Sequence, residues 1–436
     1  MALELERDEN SPARLMALIG APVLALLMGV FLDLVPGRPE TTYTAAVALW
    51  MALWWMTGVV PLAVTALLPL VLFPALGVMS AKSVPGYYVN DIIFLFLGGF
   101  LVALAMQHWN LHRRIALRLL LFFGGKPSRV LLGFMTPTFF LSMWISNTAT
   151  TMMMVPIALS VIIRLEEQGE PLVTRRFSLG LLLAIAYSAS IGGTATLIGT
   201  PPNASLVAIV ENTFPEAPDI SFAAWFAFGL PLSLVLFVTL WVVIRWRFLG
   251  KARDAVSIDM DTIRSQYQSM GRVTFEQAVV FVVFVSMALL WLTRKGIDID
   301  TFAVPGWSAL FPYPAYLRDG TVAISMALLL FALPSRTVPG GRILNWEIAR
   351  GVPWDIILLF GGGFALAGGF AESGLAIWAG EQLSGLGAFS PVVLVAGMCL
   401  AVSFLTELTS NAATTEMLLP IIAALGVAIK IHPLFL

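Results

Sequence analysis

One cysteine, three histidines and few charges limit what this 436-residue chain can do. With Cys399 alone, no internal disulfide and no metal-thiolate site can form. His108, His112 and His432 are too few and too scattered for a histidine metal centre. Charged residues make up only 12% and nearly cancel, to a net −1, so nothing points to a nucleic-acid partner. A secretory leader is not read either: Met1 to Arg14 is polar and mixed in charge, with no short apolar core and cleavage site after it. It reads as a cytoplasmic tail. What is abundant is apolar surface, 58% hydrophobic residues with a mean hydropathy of +0.88, which implies an all-α polytopic protein of the lipid bilayer.

Ser142-Met143-Trp144-Ile145-Ser146-Asn147-Thr148-Ala149-Thr150-Thr151 is the polar centre of an uncharged run, Val130 to Ile163. Its 34 residues exceed one crossing of about 20 and fall short of two crossings and a turn. Basic segments flank it on both sides, with Arg113, Arg114, Arg118, Lys126 and Arg129 before and Arg164, Arg175 and Arg176 after. Both ends are therefore expected in the cytoplasm, and the run is expected to be a re-entrant hairpin over 130–163. A second uncharged run, Phe177 to Val210, leads to Glu211, Glu216 and Asp219 and so crosses. Its centre, Gly192-Gly193-Thr194-Ala195-Thr196-Leu197-Ile198-Gly199-Thr200-Pro201-Pro202-Asn203, predicts a break at membrane depth.

Elsewhere, crossings are expected over Leu15 to Val35, Asp91 to Gln107, Phe222 to Val243, about Ala278 to Leu292, Thr321 to Leu333 and Trp354 to Phe370, with Thr42 to Val78 broken near Gly58-Val59-Val60-Pro61. The stretch carrying Arg113 to Arg129 is read as a loop. So is the stretch with Arg245, Arg247, Lys251, Arg253, Arg264 and Arg272, which divides the chain.

The chain repeats itself. Asp91 to Phe100 matches Asp355 to Phe364 at eight of ten positions, and Ser146 to Ile157 matches Ser410 to Ile421 at eight of twelve, both at an offset of 264. The charge pattern makes the second half inverted, with its hairpin, about 391–427, entering from outside. Two opposed hairpins with broken helices are the pattern of an inverted-repeat secondary transporter. The regions expected are N-terminal scaffold helices (1–90), a first-repeat transport region (91–221), connecting scaffold helices (222–350) and a second-repeat transport region (351–436). Mapping Gly199 to Asn203 by the same offset gives 463 to 467, beyond Leu436, so the native chain is expected to continue by about 40 to 70 residues with a second broken helix.

The polar inventory at the breaks is Ser142, Ser146, Asn147, Thr148, Thr200, Asn203, Thr406, Ser410 and Asn411. Hydroxyl, amide and main-chain carbonyl oxygens suit a small hard cation, and amide NH₂ groups and helix N-termini suit an anion. No Arg, Lys or His lies in these motifs, so a polyanion would need co-bound cations. Glu407 and Glu416 replace Met143 and Met152 of the first repeat; Glu407, three residues before Ser410, is placed as a support to a cation site rather than a ligand. Gly98-Gly99 and Gly361-Gly362-Gly363 read as helix-packing positions. Thr150, Thr151, Thr414 and Thr415 read equally well as site groups or as back-bonded helix residues.

Ser146-Asn147-Thr148, its repeat at Ser410-Asn411, Gly199-Thr200-Pro201-Pro202-Asn203, Phe96 to Phe100 and Trp109-Asn110-Leu111-His112 together resemble the divalent anion/sodium symporter family, the INDY-like di- and tricarboxylate transporters. The resemblance implies one sodium held by Ser142, Ser146, Asn147 and Gly199, and another by Thr406, Ser410 and Asn411. It implies carboxylate contacts at Asn147, Thr148, Thr200, Pro201 and Asn411, with Ala412 standing where the family often has threonine. It further implies a homodimer in the cell inner membrane, an elevator motion, sodium as coupling ion and no organic cofactor. C4-dicarboxylate symport is the function expected; exchange, or citrate or sulfate transport, is the alternative within the family. A channel-like or sensory membrane protein is the alternative outside it. An enzyme is disfavoured because no cluster of His, Asp, Glu or Cys accompanies the motifs, and no catalytic residue is assigned.

Overall fold

Proline and glycine decide where several helices of this chain stop. The computed structural model describes residues 12–123, 125–168, 171–214, 217–249, 260–299 and 302–435. Most of the expected tail, together with Glu216, Lys251 and Arg253, lies outside the described residues.

The chain opens with α1 (Pro12–Phe31) and α2 (Pro39–Thr57). The second ends where Gly58 turns left-handed at φ 58° and returns its amide to the Trp54 carbonyl. Pro61 bars resumption of the same helix, and two short pieces, α3 (Leu62–Thr65) and α4 (Leu68–Ala75), follow. Next come α5 (Asp91–His108), α6 (Leu111–Phe123), α7 (Pro127–Ser142), α8 (Asn147–Gln168), α9 (Pro171–Thr194) and α10 (Pro201–Thr213). Beyond them are α11 (Phe222–Ile244), α12 (Asp261–Ser269), α13 (Phe275–Leu292), a small ribbon of β1 (Ile297–Ile299) against β2 (Phe302–Val304), α14 (Asp319–Ala332) and α15 (Trp346–Ala349). The last four helices are α16 (Trp354–Glu372), α17 (Leu375–Leu383), α18 (Pro391–Leu408) and α19 (Asn411–Ala428). Among the described residues eight helices are long and apolar enough to cross a membrane, so the all-helical, multi-pass expectation holds. The helical segment from Leu375 to Ala388 and α18 form a pair bent by 119°.

Both basic stretches read as loops are helical in part, since Arg264 of the divider lies on α12. The basic stretch after Trp109 is helical where a loop was expected. Its buried residues, Leu111, Arg114, Leu117 and Leu120, recur at helical spacing, so α6 is amphipathic. Three arginines masked that pattern because one of them, Arg114, points inward. Its guanidinium donates to Gln277 Oε1 (2.8 Å) and to the carbonyls of Met270 (2.9 Å), Gly271 (3.0 Å) and Arg272 (3.2 Å).

The chain divides into two units. The first comprises Met1–Ile93, Ala204–Asp219 and Pro353–Leu436. Its core joins α2, α4 and α16 through Val47, Met51, Trp55, Phe73, Leu366 and Phe370. The predicted packing role of the glycine run on α16 holds, since a Cβ on Gly362 would sit 2.5 Å from the Ala66 side chain and carbonyl.

The second unit comprises Phe94–Asn203 and Ile220–Val352. Gly98 of α5 packs so closely on Ala323 of α14 that a Cβ would lie 2.5 Å from its backbone. Asp319 at the start of α14 is buried; it pairs with Arg294 at 2.5 Å and accepts the Phe222 amide at 2.7 Å. Beside it Phe222 stacks on Trp291 (4.6 Å) and on Trp144 (6.0 Å), which seats the start of α11 beside the α7–α8 turn.

The Trp109 to His112 motif is a brace here. Trp109 Nε1 donates to the Ile343 carbonyl (2.8 Å), Gln277 Nε2 donates to the Trp109 carbonyl (2.9 Å), and Asn110 takes a left-handed turn at φ 55°. His112 is half-buried, with Nδ1 3.2 Å from the Met106 carbonyl, and partial burial holds its imidazole below the usual range.

Candidate functional site

The hairpin of the second unit breaks where its polar centre was read. Between α7 and α8 the backbone leaves the helix over 143–146, and Ser146 caps α8 by accepting the Ala149 amide at 3.3 Å. Ser142, fully buried as the last residue of α7, donates to Asn147 Oδ1 at 2.7 Å. That bond orients the carboxamide and leaves its NH₂ as the donor it presents. Ser146 and Asn147 are half-buried and Thr148 is exposed.

The broken helix closes around this turn. Residues 195–200 separate α9 from α10, and three glycines make the approach possible. A Cβ on Gly192 would strike the Phe139 carbonyl, one on Gly193 would strike the Asn147 carboxamide, and one on Gly199 would lie 2.9 Å from the Gly193 Cα. Thr196, which the sequence reading did not single out, donates to the Met143 carbonyl and accepts the Gly199 amide at 3.1 Å. It ties the break in α9–α10 to the hairpin turn. The only hint in the sequence is its place between the two glycine positions.

The structure thus gathers Ser142, Asn147 and Gly199 in one unit, with Thr200 and Pro201 at the start of α10, half-buried. The donors are hydroxyl and carboxamide oxygens with neighbouring main-chain carbonyls, a hard-oxygen set that fits a small cation. The N-terminus of α8 adds amides and a dipole that favour an anion. Asn203 does not join them. Its Nδ2 is committed to the carbonyls of Gly193 (3.0 Å) and Thr196 (2.7 Å), and the residue is 6% exposed, so this member of the polar inventory is a brace.

In the first unit α18 and α19 break at Thr409 and Ser410. Ser410 is the N-cap of α19 and its carbonyl accepts the Thr414 amide at 2.9 Å. Among the described residues no hydrogen bond joins the side chains of Thr406, Ser410 and Asn411. Thr406 donates to the Ser403 carbonyl (3.0 Å) within its own helix, Asn411 is exposed and Ala412 half-buried. Thr409 and Thr414 bond each other at 2.5 Å, and Thr415 back-bonds to the Asn411 carbonyl at 2.8 Å. The helix-residue reading is therefore the one that holds for Thr415. The two second-repeat carboxylates separate as well: Glu407 is exposed, whereas Glu416 is fully buried and bonded to Ser205.

Helices broken at uncharged polar turns, with eight apolar helices of crossing length among the described residues, define a multi-pass membrane protein. Residues 52–436 match a family model described as a citrate transporter. The chain is 41% identical to the sodium-dependent dicarboxylate transporter SdcS of Staphylococcus saprophyticus over 436 residues, 99% of this chain and 82% of that protein. It is likewise 41% identical to the protein of that name from Staphylococcus aureus strain bovine RF122, over 98% of this chain and 81% of that protein. The chain belongs to this family of anion transporters, and the resemblance read from the Ser-Asn and Gly-Thr-Pro-Pro-Asn motifs holds.

Proposed function

We propose that the protein is a sodium-coupled secondary transporter of C4-dicarboxylates of the succinate, malate and fumarate type in a bacterial plasma membrane. The observation that carries the reading is the uncharged turn at Ser142 to Thr148, closed by Thr196 and Gly199, where hydroxyl and amide groups converge without a basic side chain. Two ionised carboxylates brought there have no fixed countercharge, so bound cations must supply it. The names of the 41% identical staphylococcal proteins support both the ion and the substrate class.

In this reading Ser142, Ser146, Asn147 and the Gly199 backbone hold one sodium, and Thr406, Ser410 and Asn411 a second. Asn147, Thr148, Thr200, Pro201, Asn411 and the position of Ala412 meet the carboxylates. Regions 91–221 and 351–436 carry the hairpins as the moving part against scaffold helices, in a homodimer whose N-termini face the cytoplasm. A tricarboxylate is the second reading, favoured by the description of the matching family model and by the missing hydroxyl at Ala412. Thermal stabilisation of the purified protein by succinate, citrate and sulfate, each in sodium and in choline, tests both. Stabilisation by succinate in sodium alone is expected. Equal stabilisation in choline would refute the coupling, and stabilisation by citrate alone would select the second reading.

A further inference from the structure

Glu416 is a carboxyl group that the two Ser-Asn turns do not use. It lies on α19, five residues past Asn411 or about 7.5 Å along the helix axis, and is fully buried. Ser205 donates to Oε1, while Oε2 is buried without a hydrogen-bond partner. The carboxyl is pressed against α16 at Gly363, where any Cβ would collide with its oxygen and carbon atoms. Its counterpart in the first repeat is Met152, 63% exposed, so the group belongs to the second repeat alone.

Among the described residues no countercharge lies on the helices around it. The elements around it, α2, α10, α16, α17, α18 and α19, contain no Lys, Arg or His. Their titratable residues are Glu40 and Tyr43 on α2, Glu211 on α10, Asp355 and Glu372 on α16, Glu381 on α17, and Glu407 and the exposed Cys399 on α18. Asp355 and Glu372 lie about 12 and 13.5 Å along α16 from Gly363, and Glu211 about 9 Å along α10 from Ser205. Asp355, Glu372, Glu381 and Glu407 are exposed, and Lys430 follows the end of α19. Of the tyrosines on the 3₁₀ turn before α5, Tyr88 bonds the Ala66 carbonyl at 2.5 Å and Tyr87 packs on Gly368. An ionised carboxylate here would be desolvated, unpaired and short of hydrogen bonds, which is the most costly state for a buried group. A neutral carboxyl fits the same space without an uncompensated charge.

We propose that Glu416 is a proton-binding site of the first unit, and that its proton is required for the close packing of α19 on Gly363 of α16. On release, the Oε2–H bond breaks, the proton passes to water, and the carboxylate left behind must draw in water or a cation, which separates the two helices. Transport then depends on this proton independently of the ions held at the Ser-Asn turns.

Two measurements test this. Infrared difference spectra of the whole protein, titrated from about pH 6.5 to about 10, should show a neutral-carboxyl carbonyl band that disappears as pH rises; free carboxyls, near pH 4, are ionised throughout. The band should be missing in Glu416→Gln. The second measurement is dicarboxylate uptake into proteoliposomes over the same range, in which the substrate stays ionised; this arm rests on the transport reading above, while the spectra do not. Wild-type uptake should decline by about tenfold per pH unit above the titration point, and Glu416→Gln should lack that decline. No neutral-carboxyl band at the lowest pH would overturn the proposal even if the variant failed to fold. So would an unchanged decline in Glu416→Gln, or loss of uptake at every pH in a folded, substrate-binding variant. Failure of wild-type uptake with the band present would refute the transport reading alone.

Discussion

Asn203 offers a direct way to separate a brace from a ligand. In Asn203→Ala the carbonyls of Gly193 and Thr196 lose the amide hydrogens that reach them at 3.0 and 2.7 Å, in a position only 6% exposed. An acceptor left unsatisfied in a buried site costs about 1–3 kcal/mol, which is the loss expected at the Gly193 carbonyl, less whatever an entering water restores; the Thr196 carbonyl keeps a long contact from the Gly199 amide at 3.4 Å. Asn203→Asp should be at least as damaging, because a carboxylate oxygen would face two carbonyl oxygens with no hydrogen between them. The assay is thermal unfolding of the purified protein in detergent without substrate. Thr239→Ala is the control, since Thr239 only back-bonds to Val235 on an exposed face, and it should change stability by about 0.5 kcal/mol or less. If Asn203→Ala unfolds with the parent protein but no longer binds substrate, Asn203 is a ligand and the reasoning fails.

Asn147→Ala and Asn411→Ala should each abolish sodium-dependent uptake while leaving the protein folded; wild-type uptake in either would show that its turn is structural. Arg114→Lys should destabilise the second unit by roughly 3 kcal/mol or more, because an ammonium cannot reach Gln277 and three carbonyls together. Limited proteolysis near Gly271 should accelerate in that variant, and an unchanged cleavage rate would contradict the brace. His112 gives a pH test. Burial lowers its folded-state pKa beneath the unfolded value of about 6.5, so the unfolded chain takes up the proton first and stability falls as pH drops below about 6.5. The His112→Gln variant should lose that part of the pH dependence, and an identical pH profile of unfolding would refute it.

The sequence by itself determined the membrane class, the helix breaks and the family. Those depend on local features: long apolar runs, the glycine and prolines around the break at 195–200, the uncharged polar Ser-Asn motifs at the breaks over 143–146 and 409–410, and a repeat with a constant offset. It also identified the polar residues of the first turn, because uncharged Ser, Asn and Thr are conspicuous inside an apolar run. Tertiary structure decided how each polar group is used. Thr196 lies in the break and Asn203 on the first turn of α10 beside it, yet one ties the hairpin to the break and the other spans two carbonyls, a difference set by which carbonyl lies opposite. Arg114 read as a loop charge until the carbonyls at Met270 to Arg272, more than 150 positions away, enclosed it. Glu407 and Glu416 are equally unexpected in an apolar segment; only the packing of α19 on α16, with Gly363 leaving room for a carboxyl, buries one and leaves the other exposed. Burial and partner choice depend on residues distant in sequence, so no local pattern encodes them.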